Sequence, residues 1–518
     1  MESSQIKGLF IIVLSAMFAV YLGVAAATAS FEALAWVAGF VGIAFVLALG
    51  EKIWALIPMT LVLQGNLNAV PGSPPVWAGA AAAVFAIYFA RLALRRPDFV
   101  FRLDWLDVAV FLHLAVIAQA YARTPTGLLI LGGNTAGGKS YFLFGVAIVA
   151  YFLLSFTKPN VKVIKRVVVA MIVVQILDAT LLTISDRVPS VASLILPIYS
   201  NVNLGVAIVS GGGSSINYDT TRGGSGFSML GKALVIPCFT MTRPLNSLNP
   251  LRPLIFLISG LGGVLILLSG FRSGFAYLGG VFLVSSLVRK RYMDVVAMGL
   301  IGVTLLGILA VSGNVKSLPF GAQRVLSILP MVEVRAEARE DAENSTEWRY
   351  EMWRLALTTN HYIKDKVLGD GFGLSGREMK AISEEALGIS SSNMSSQEKM
   401  LAQGSYHGFH VETIRFTGAL GLLSALVIMV AAFRKALKLV RFYRGKELFP
   451  YVAYICIPAL LYPFWSMLVF GSYRVEFPQF IAMVGVLKIL DNLRLAEMKT
   501  VPSEAAVPVK DSPLLAPV

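Results

Sequence analysis

The sequence predicts an all-α polytopic integral membrane protein of about 12–14 transmembrane helices, interrupted late in the chain by one large helical loop. Three observations predict it. Hydrophobic residues make up 56% of the 518 and charged residues only 14%, and a mean hydropathy of +0.72 exceeds what a water-soluble fold of this length shows. Apolar runs of bilayer-spanning length recur along the chain. Lys and Arg gather in the short segments between those runs, where they report topology.

A spanning helix needs about 17 to 25 predominantly apolar residues. Such runs stand near 7–27, 33–49, 53–70, 76–94, 104–122, 141–157, 162–184, 228–243, 253–270, 274–288, 293–312, 411–433, 449–470 and 476–491. The first ends near "ATA" at 27–29, as a signal peptide would, but its apolar core is too long for one, so it reads as an uncleaved first helix. The chain then divides into N-terminal transmembrane helices over 1–312, a large loop over 313–408, C-terminal transmembrane helices over 409–495, and a Pro-rich, aperiodic tail over 496–518 that reads as disordered.

The net charge is +14, and the Lys and Arg between apolar runs gather in five connections. These hold Arg91, Arg95, Arg96 and Arg102; Lys158, Lys162, Lys165 and Arg166; Arg243 and Arg252; Arg289, Lys290 and Arg291; and Arg434, Lys435, Lys438, Arg441, Arg444 and Lys446. Counting helices puts all five on one side, which the positive-inside rule makes cytoplasmic. A membrane signal, and no nucleic-acid partner, is the reading of this charge. The large loop falls on the opposite face. Cys238 and Cys456, the only two cysteines, are far apart inside predicted helices and read as packing residues.

"GGNTAGGKSYF" (132–142) carries Gly133, Gly138, Lys139 and Ser140 in P-loop spacing. A P-loop needs a buried strand feeding the turn, whereas this stretch is a short outer-face connection with no Walker-B-like strand. It reads as a turn before a helix. Its free N–H groups and Lys139 could still attract an anion such as a diphosphate.

The loop holds the chemistry-bearing residues. "ENSTEWRYEMWRLAL" (343–357) places Trp348, Met352, Leu355 and Ala356 in a helical stripe behind a Ser/Thr start, an amphipathic helix near the membrane surface. A glycine-rich turn, "LGDGFG" (368–373), and a Ser-rich stretch follow. "SYHGFHVETIRFTGALGLL" (405–423) then brings two of the four histidines, His407 and His410, to the start of a span. The pair could be a general base, a metal pair or interfacial side chains; no acidic or Cys/His group at a supporting spacing favours a metal. Arg415 could share the face of His407, or pair with Glu412 three residues before it. Arg272 in "LLSGFRSGFAYL" interrupts an apolar run without basic neighbours. An outward Arg there needs an anionic partner, and a phosphate suits its fork geometry.

In order along the chain, these landmarks resemble the O-antigen ligase and Wzy-type polymerase superfamily of bacterial polysaccharide assembly. They are "SGFRSG" with Arg272, "STEWRYEMWRLAL" in the loop, "GDGFG", and His407 about eleven residues before Gly418 and Gly421 of a GxxG helix opening. The resemblance spans roughly 228–435. Many members place Asn after the histidine, where this chain has Gly408, and "FHVETIRFTG" is more polar than the family pattern.

The resemblance implies a GT-C-like inner-membrane enzyme with its active site facing the periplasm. It would be an inverting, metal-independent glycosyltransferase without a cofactor. Its partners would be an undecaprenyl-diphosphate-linked glycan as donor, lipid A–core or a second lipid-linked glycan as acceptor, and membrane lipids. His407 would orient or deprotonate the acceptor hydroxyl, Arg272 and Arg349 would bind the donor diphosphate, and Trp348 and Trp353 could cover the sugar. Arg349 has an alternative as an ion-pair partner of Glu343 or Glu347. A flippase or other multi-spanning transporter is the competing expectation; it would more often show broken helices in two related halves.

Overall fold

A computed structural model of the protein describes residues 42, 49–93, 100–127, 137–158, 160–200, 224–312, 314–329, 332–373, 400–401 and 404–500. The expected span at 7–27, nearly all of that at 33–49, Gly133 and the rest of the "GGNTA" stretch, Arg95, Arg96, most of the Ser-rich stretch and the tail beyond Thr500 lie outside these residues. The described chain is mostly helical, with seven helices long and apolar enough to cross a membrane. It is a multi-pass helical membrane protein.

The helices are α1 (Leu56–Leu61), α2 (Val76–Ala93), α3 (Trp105–Arg123), α4 (Gly138–Ser155), α5 (Val161–Ser185), α6 (Pro189–Ile195), α7 (Ser225–Met241), α8 (Pro253–Ser269), α9 (Arg272–Val288), α10 (Tyr292–Ser312), α11 (Phe320–Leu326), α12 (Ala336–Thr358), α13 (Phe409–Tyr443), α14 (Phe449–Leu468) and α15 (Glu476–Thr500). Local chemistry sets several ends. Asp104 caps α3 by accepting from Leu106 N at 2.9 Å while Asp107 reaches back to Asp104 N at 2.5 Å, a reciprocal capping box. Asn160 caps α5 through Lys162 N and Val163 N. Pro253 opens α8, and Gly270 closes it in the left-handed conformation at φ 76°.

Two sequence expectations are corrected here. The run at 53–70 is not one span: helix stops at Leu61, and the polar stretch Gln64 to Asn68 forms a short strand instead, Asn66–Leu67 pairing antiparallel with Tyr199–Ser200. Asp178 fixes that ladder by accepting from Tyr199 Oη at 2.6 Å and Gln64 N at 3.3 Å. At the other end of the chain, α15 continues through Thr500, so residues 496–500 belong to a helix rather than to the tail.

Helix α13 is the spine, packing on α3, α14, α15 and α12, while α7 packs on α5, α8, α9 and α14. The basic segments meet at one end of this bundle. There Lys435 Nζ bridges Asp104 at 2.6 Å and Asp491 at 2.9 Å, and Lys488, fully buried, reaches Asp107 at 2.6 Å. Lys165 pairs with Glu447, Arg243 pairs with Asp294, and Arg289 lies over the Phe449 ring. Buried charges survive only when paired. Lys435 and Lys488 are each paired in this way, so they clamp α3, α13 and α15 together. Since α9 runs from Arg272 to Val288 beside Arg289, Arg272 stands at the opposite end.

That opposite end carries the loop. Helix α13 is 35 residues long, about 52 Å, and is broken at Gly418, whose φ of 71° and ψ of −172° are not helical. Gly418 is therefore an interruption nine residues inside the helix, not its opening. The backbone groups freed by the break are taken up by the glycine-rich turn: Asp370 N donates to Arg415 O, Gly371 N to Phe416 O, and Ala419 N to Lys366 O, at 2.9, 3.0 and 2.8 Å. The two chains touch through glycine on both sides. A Cβ on Gly369 would lie 2.5 Å from Gly418 N, and one on Gly418 would lie 2.1 Å from Val367 O. Phe372 then buries its ring against Phe144, Phe416 and Tyr473.

Candidate active site

Helix α12 begins at Ala336, earlier than its Ser/Thr pair suggests. Ser345 and Thr346 lie inside the helix because their hydroxyls bond back to the Ala342 carbonyl at 3.0 and 3.2 Å, a local alternative to capping. The expected apolar stripe is present, with Met352 and Ala356 buried in a small core that includes Ile363, Leu401, Tyr406 and Val411. The helix is thus anchored on the chain that precedes α13.

Trp353 shapes that chain. Its indole Nε1 donates to Tyr406 O at 2.7 Å, its ring lies so close to Gly408 that a Cβ there would sit 2.7 Å away, and its edge meets the His410 ring at 4.8 Å. Between Tyr406 and Gly408, His407 is held at φ 50°, a left-handed conformation uncommon for a residue with a side chain. Its ring stands between Trp348, at 6.1 Å, and Phe470, stacked at 5.4 Å. His407 and His410 therefore pack against different aromatic partners.

Arg349 is the charge that acts on His407. Its Nη1 donates to Val469 O at 3.0 Å, rather than pairing with Glu343 or Glu347, and its Nε is buried without a hydrogen-bond partner. Burial lowers the Arg349 pKa. Burial first, and the Arg349 charge second, push the His407 pKa below its ordinary value. The imidazole is consequently neutral near pH 7 and able to accept a proton.

The wall opposite α12 is the turn after α14. Val469 and Phe470 present their carbonyl and ring to Arg349 and His407. Glu412, buried in the first turn of α13, holds the turn by accepting from Ser472 Oγ at 2.9 Å and Tyr473 N at 2.8 Å. Neither Val469 nor Phe470 was a sequence candidate: a backbone carbonyl has no residue signature, and Phe470 reads as the end of an apolar run. The one available signal is "FGSYRVE" (470–476), a polar interruption between two spans.

The remaining candidates separate. Arg272 Nη2 donates to Ala342 O at 2.5 Å and to Ser345 and Thr346 hydroxyls at 3.0 Å each. Ser345 and Thr346 precede Arg349 by about one turn and Ala342 by about two on the same helix face, so Arg272 meets α12 directly below Arg349. Arg324 joins it, bonding Gly270 O at 2.6 Å, Ser345 Oγ at 3.1 Å and the Asp341 carboxylate. Arg415 pairs with Asp370 at 3.1 Å. This corrects both expectations for Arg415: it braces the glycine-rich turn instead of flanking His407, and Glu412 is engaged elsewhere. Lys139 donates to Ser73 O at 2.9 Å, and the adjoining Gly137 packs against the Phe372 carbonyl, which places it against the loop's glycine-rich turn rather than beside His407.

The structure thus brings His407, Arg349 and Trp348 together, with Arg272 one turn behind them. No protein-family model matches the chain, and no curated protein matches it in sequence.

Proposed function

We propose that the chain is a bacterial inner-membrane glycosyltransferase of the O-antigen ligase or polysaccharide polymerase kind, with a GT-C-like architecture and its site facing the periplasm. It moves an undecaprenyl-diphosphate-linked glycan to an acceptor hydroxyl. The observation that carries this reading is the half-buried imidazole of His407, held between Trp348 and Phe470 at the loop–bundle junction, with Arg349 tied to the same turn through the Val469 carbonyl and its Nε left unpaired.

The chemistry follows from those two groups. The acceptor oxygen attacks the anomeric carbon from the face opposite the diphosphate, giving inversion, and its proton passes to the His407 imidazole. The C–O bond to the diphosphate breaks, and its electron pair stays on the leaving group. Arg349 faces the charge that develops there, so arginine supplies the stabilisation. Arg272 acts through α12, holding the turn that carries Arg349. Lipid A–core and a second lipid-linked glycan are the two acceptor classes.

A transporter reading draws on one observation, the helix break at Gly418, since broken helices line many transport sites. Here the freed backbone groups are occupied by the loop's own turn, which favours the enzyme. Proteoliposomes supplied with an undecaprenyl-diphosphate glycan and candidate acceptors decide between them. A new glycosidic bond and released undecaprenyl diphosphate, identified by mass and linkage, are expected. Lipid movement across the bilayer with no new bond would establish the transporter instead.

A further inference from the structure

One cluster of polar groups inside the bundle is left unused by this mechanism. Lys232 of α7, Tyr277 of α9, Tyr462 of α14 and Glu476 of α15 converge, with Glu476 within electrostatic reach of the other three. Among the described residues the half-buried side chains of Lys232 and Tyr277 make no hydrogen bond, and the Tyr462 hydroxyl is buried without a partner. One Glu476 oxygen accepts from Ser472 N at 3.3 Å. Polar groups left unpaired inside a membrane-spanning bundle are costly and mark places where a polar ligand or water completes them. The cluster has aromatic walls: the Tyr277 ring meets Trp465 edge-on at 4.9 Å, and Tyr462 stacks on Phe480 at 3.9 Å.

The cluster adjoins the site already described. Trp465 O accepts from Val469 N and Phe470 N at 3.0 and 3.1 Å, so the residue that walls the cluster also anchors the turn facing Arg349 and His407. Tyr277 lies in the second turn of the helix that Arg272 begins.

We propose that Lys232, Tyr277, Tyr462 and Glu476 form a sugar-binding subsite for the glycan carried on the diphosphate. The chemistry matches: a carboxylate accepts from sugar hydroxyls, an ammonium and two phenols donate to them, and the aromatic rings cover the apolar faces of the sugar ring. This rests on the glycosyltransferase reading. It adds that discrimination between glycosylated and bare lipid diphosphate resides in this cluster, apart from the His407 chemistry.

The test is binding of three probes to the purified full chain in nanodiscs: undecaprenyl diphosphate, the same lipid bearing one sugar, and a free oligosaccharide without diphosphate. Wild type should bind the glycosylated lipid more tightly than the bare one. Two variants are close in shape to the native residues: Glu476→Gln, which removes a charged acceptor, should weaken binding of the glycosylated lipid about 10- to 100-fold, and Tyr277→Phe, which removes a neutral donor, about 2- to 10-fold, while the bare lipid binds as before. Arg349→Ala should weaken both lipids. Variants that melt like wild type but keep its full preference for the glycosylated lipid overturn the subsite. Weakening confined to the free oligosaccharide overturns its assignment to the donor and gives it to the acceptor. If wild type binds neither lipid, the glycosyltransferase reading itself fails.

Discussion

His407 occupies a backbone conformation that costs a side-chain-bearing residue about 1–2 kcal/mol, and Trp353, bonded to Tyr406 O and pressed on Gly408, is what holds it there. Its pKa is depressed by burial and by Arg349, and the sign of the pH effect follows. The proton-accepting form persists below the ordinary histidine value of about 6.5 and is lost only as pH falls through the lower folded value. Transfer rates should therefore stay level from pH 8 to about 6.5 and drop at more acidic pH; an acid limb centred above about 6.5 would contradict this assignment. Arg272 and Arg349 should part company under mutation. Arg272→Ala removes the two N–H groups of Nη2 that are shared among Ala342 O, Ser345 Oγ and Thr346 Oγ1 on α12 and should lower the melting temperature by several degrees, a bond to a charged group being worth about 1.5–3 kcal/mol. Arg349→Ala removes a single such bond, to Val469 O, and should lower melting less than Arg272→Ala while slowing transfer by about 10²- to 10³-fold. At this scale the sequence was legible in part. His407 stood out as an ionisable residue at a loop–span junction, whereas Arg349, inside the loop helix, was reached only through the family resemblance. The destination of Arg272, by contrast, was hidden because hydroxyls at Ser345 and Thr346 look like a helix start and turn out to be its acceptors.

The broken helix α13 and the glycine-rich turn form one element made of two distant pieces. Gly418 and Gly369 let their backbones touch, so a methyl group on either must push the chains apart. Gly418→Ala is expected to cost about 1–3 kcal/mol from backbone conformation alone, with steric displacement added. Gly263→Ala in α8, where a Cβ would meet nothing within 4 Å, should be nearly neutral. Equal melting temperatures for the two variants would show that the turn does not depend on this contact. Apolar length gave the eleven runs from 76–94 to 476–491 as helices, nine with ends close to those seen, while α13 and α15 run on to Tyr443 and Thr500, since apolar length and Lys/Arg punctuation are local properties. It could not give the break, because Gly418 looks like an ordinary small residue in an apolar run until its partner Val367–Gly371 is known. Nor could it give α12 its true start at Ala336, where a charged first half is held by Arg324 and Arg272 rather than by its own apolar face.

Across the whole molecule, the basic connections gather at one end and the His407 site at the other, which is the arrangement the positive-inside rule turns into an orientation. The proposed orientation predicts that a cysteine at Tyr350, 64% exposed on α12, reacts with an impermeant thiol reagent added outside spheroplasts. One at Glu447 should not. Cys238 and Cys456 are buried and should stay silent. Labelling in the reverse pattern would invert the map. The overall class was plain from composition, because few soluble folds carry so little charge; the placement of two walls from chain segments more than a hundred residues apart, α12 and the turn after α14, was not. The glycosyltransferase account rests above all on His407. Its most direct test is the rate of glycan transfer per correctly inserted molecule in proteoliposomes holding wild type, His407→Ala or His410→Ala. Loss of a positioned base predicts a rate about 10²- to 10⁴-fold lower for His407→Ala, with His410→Ala far milder; transfer by His407→Ala at close to the wild-type rate would contradict the account.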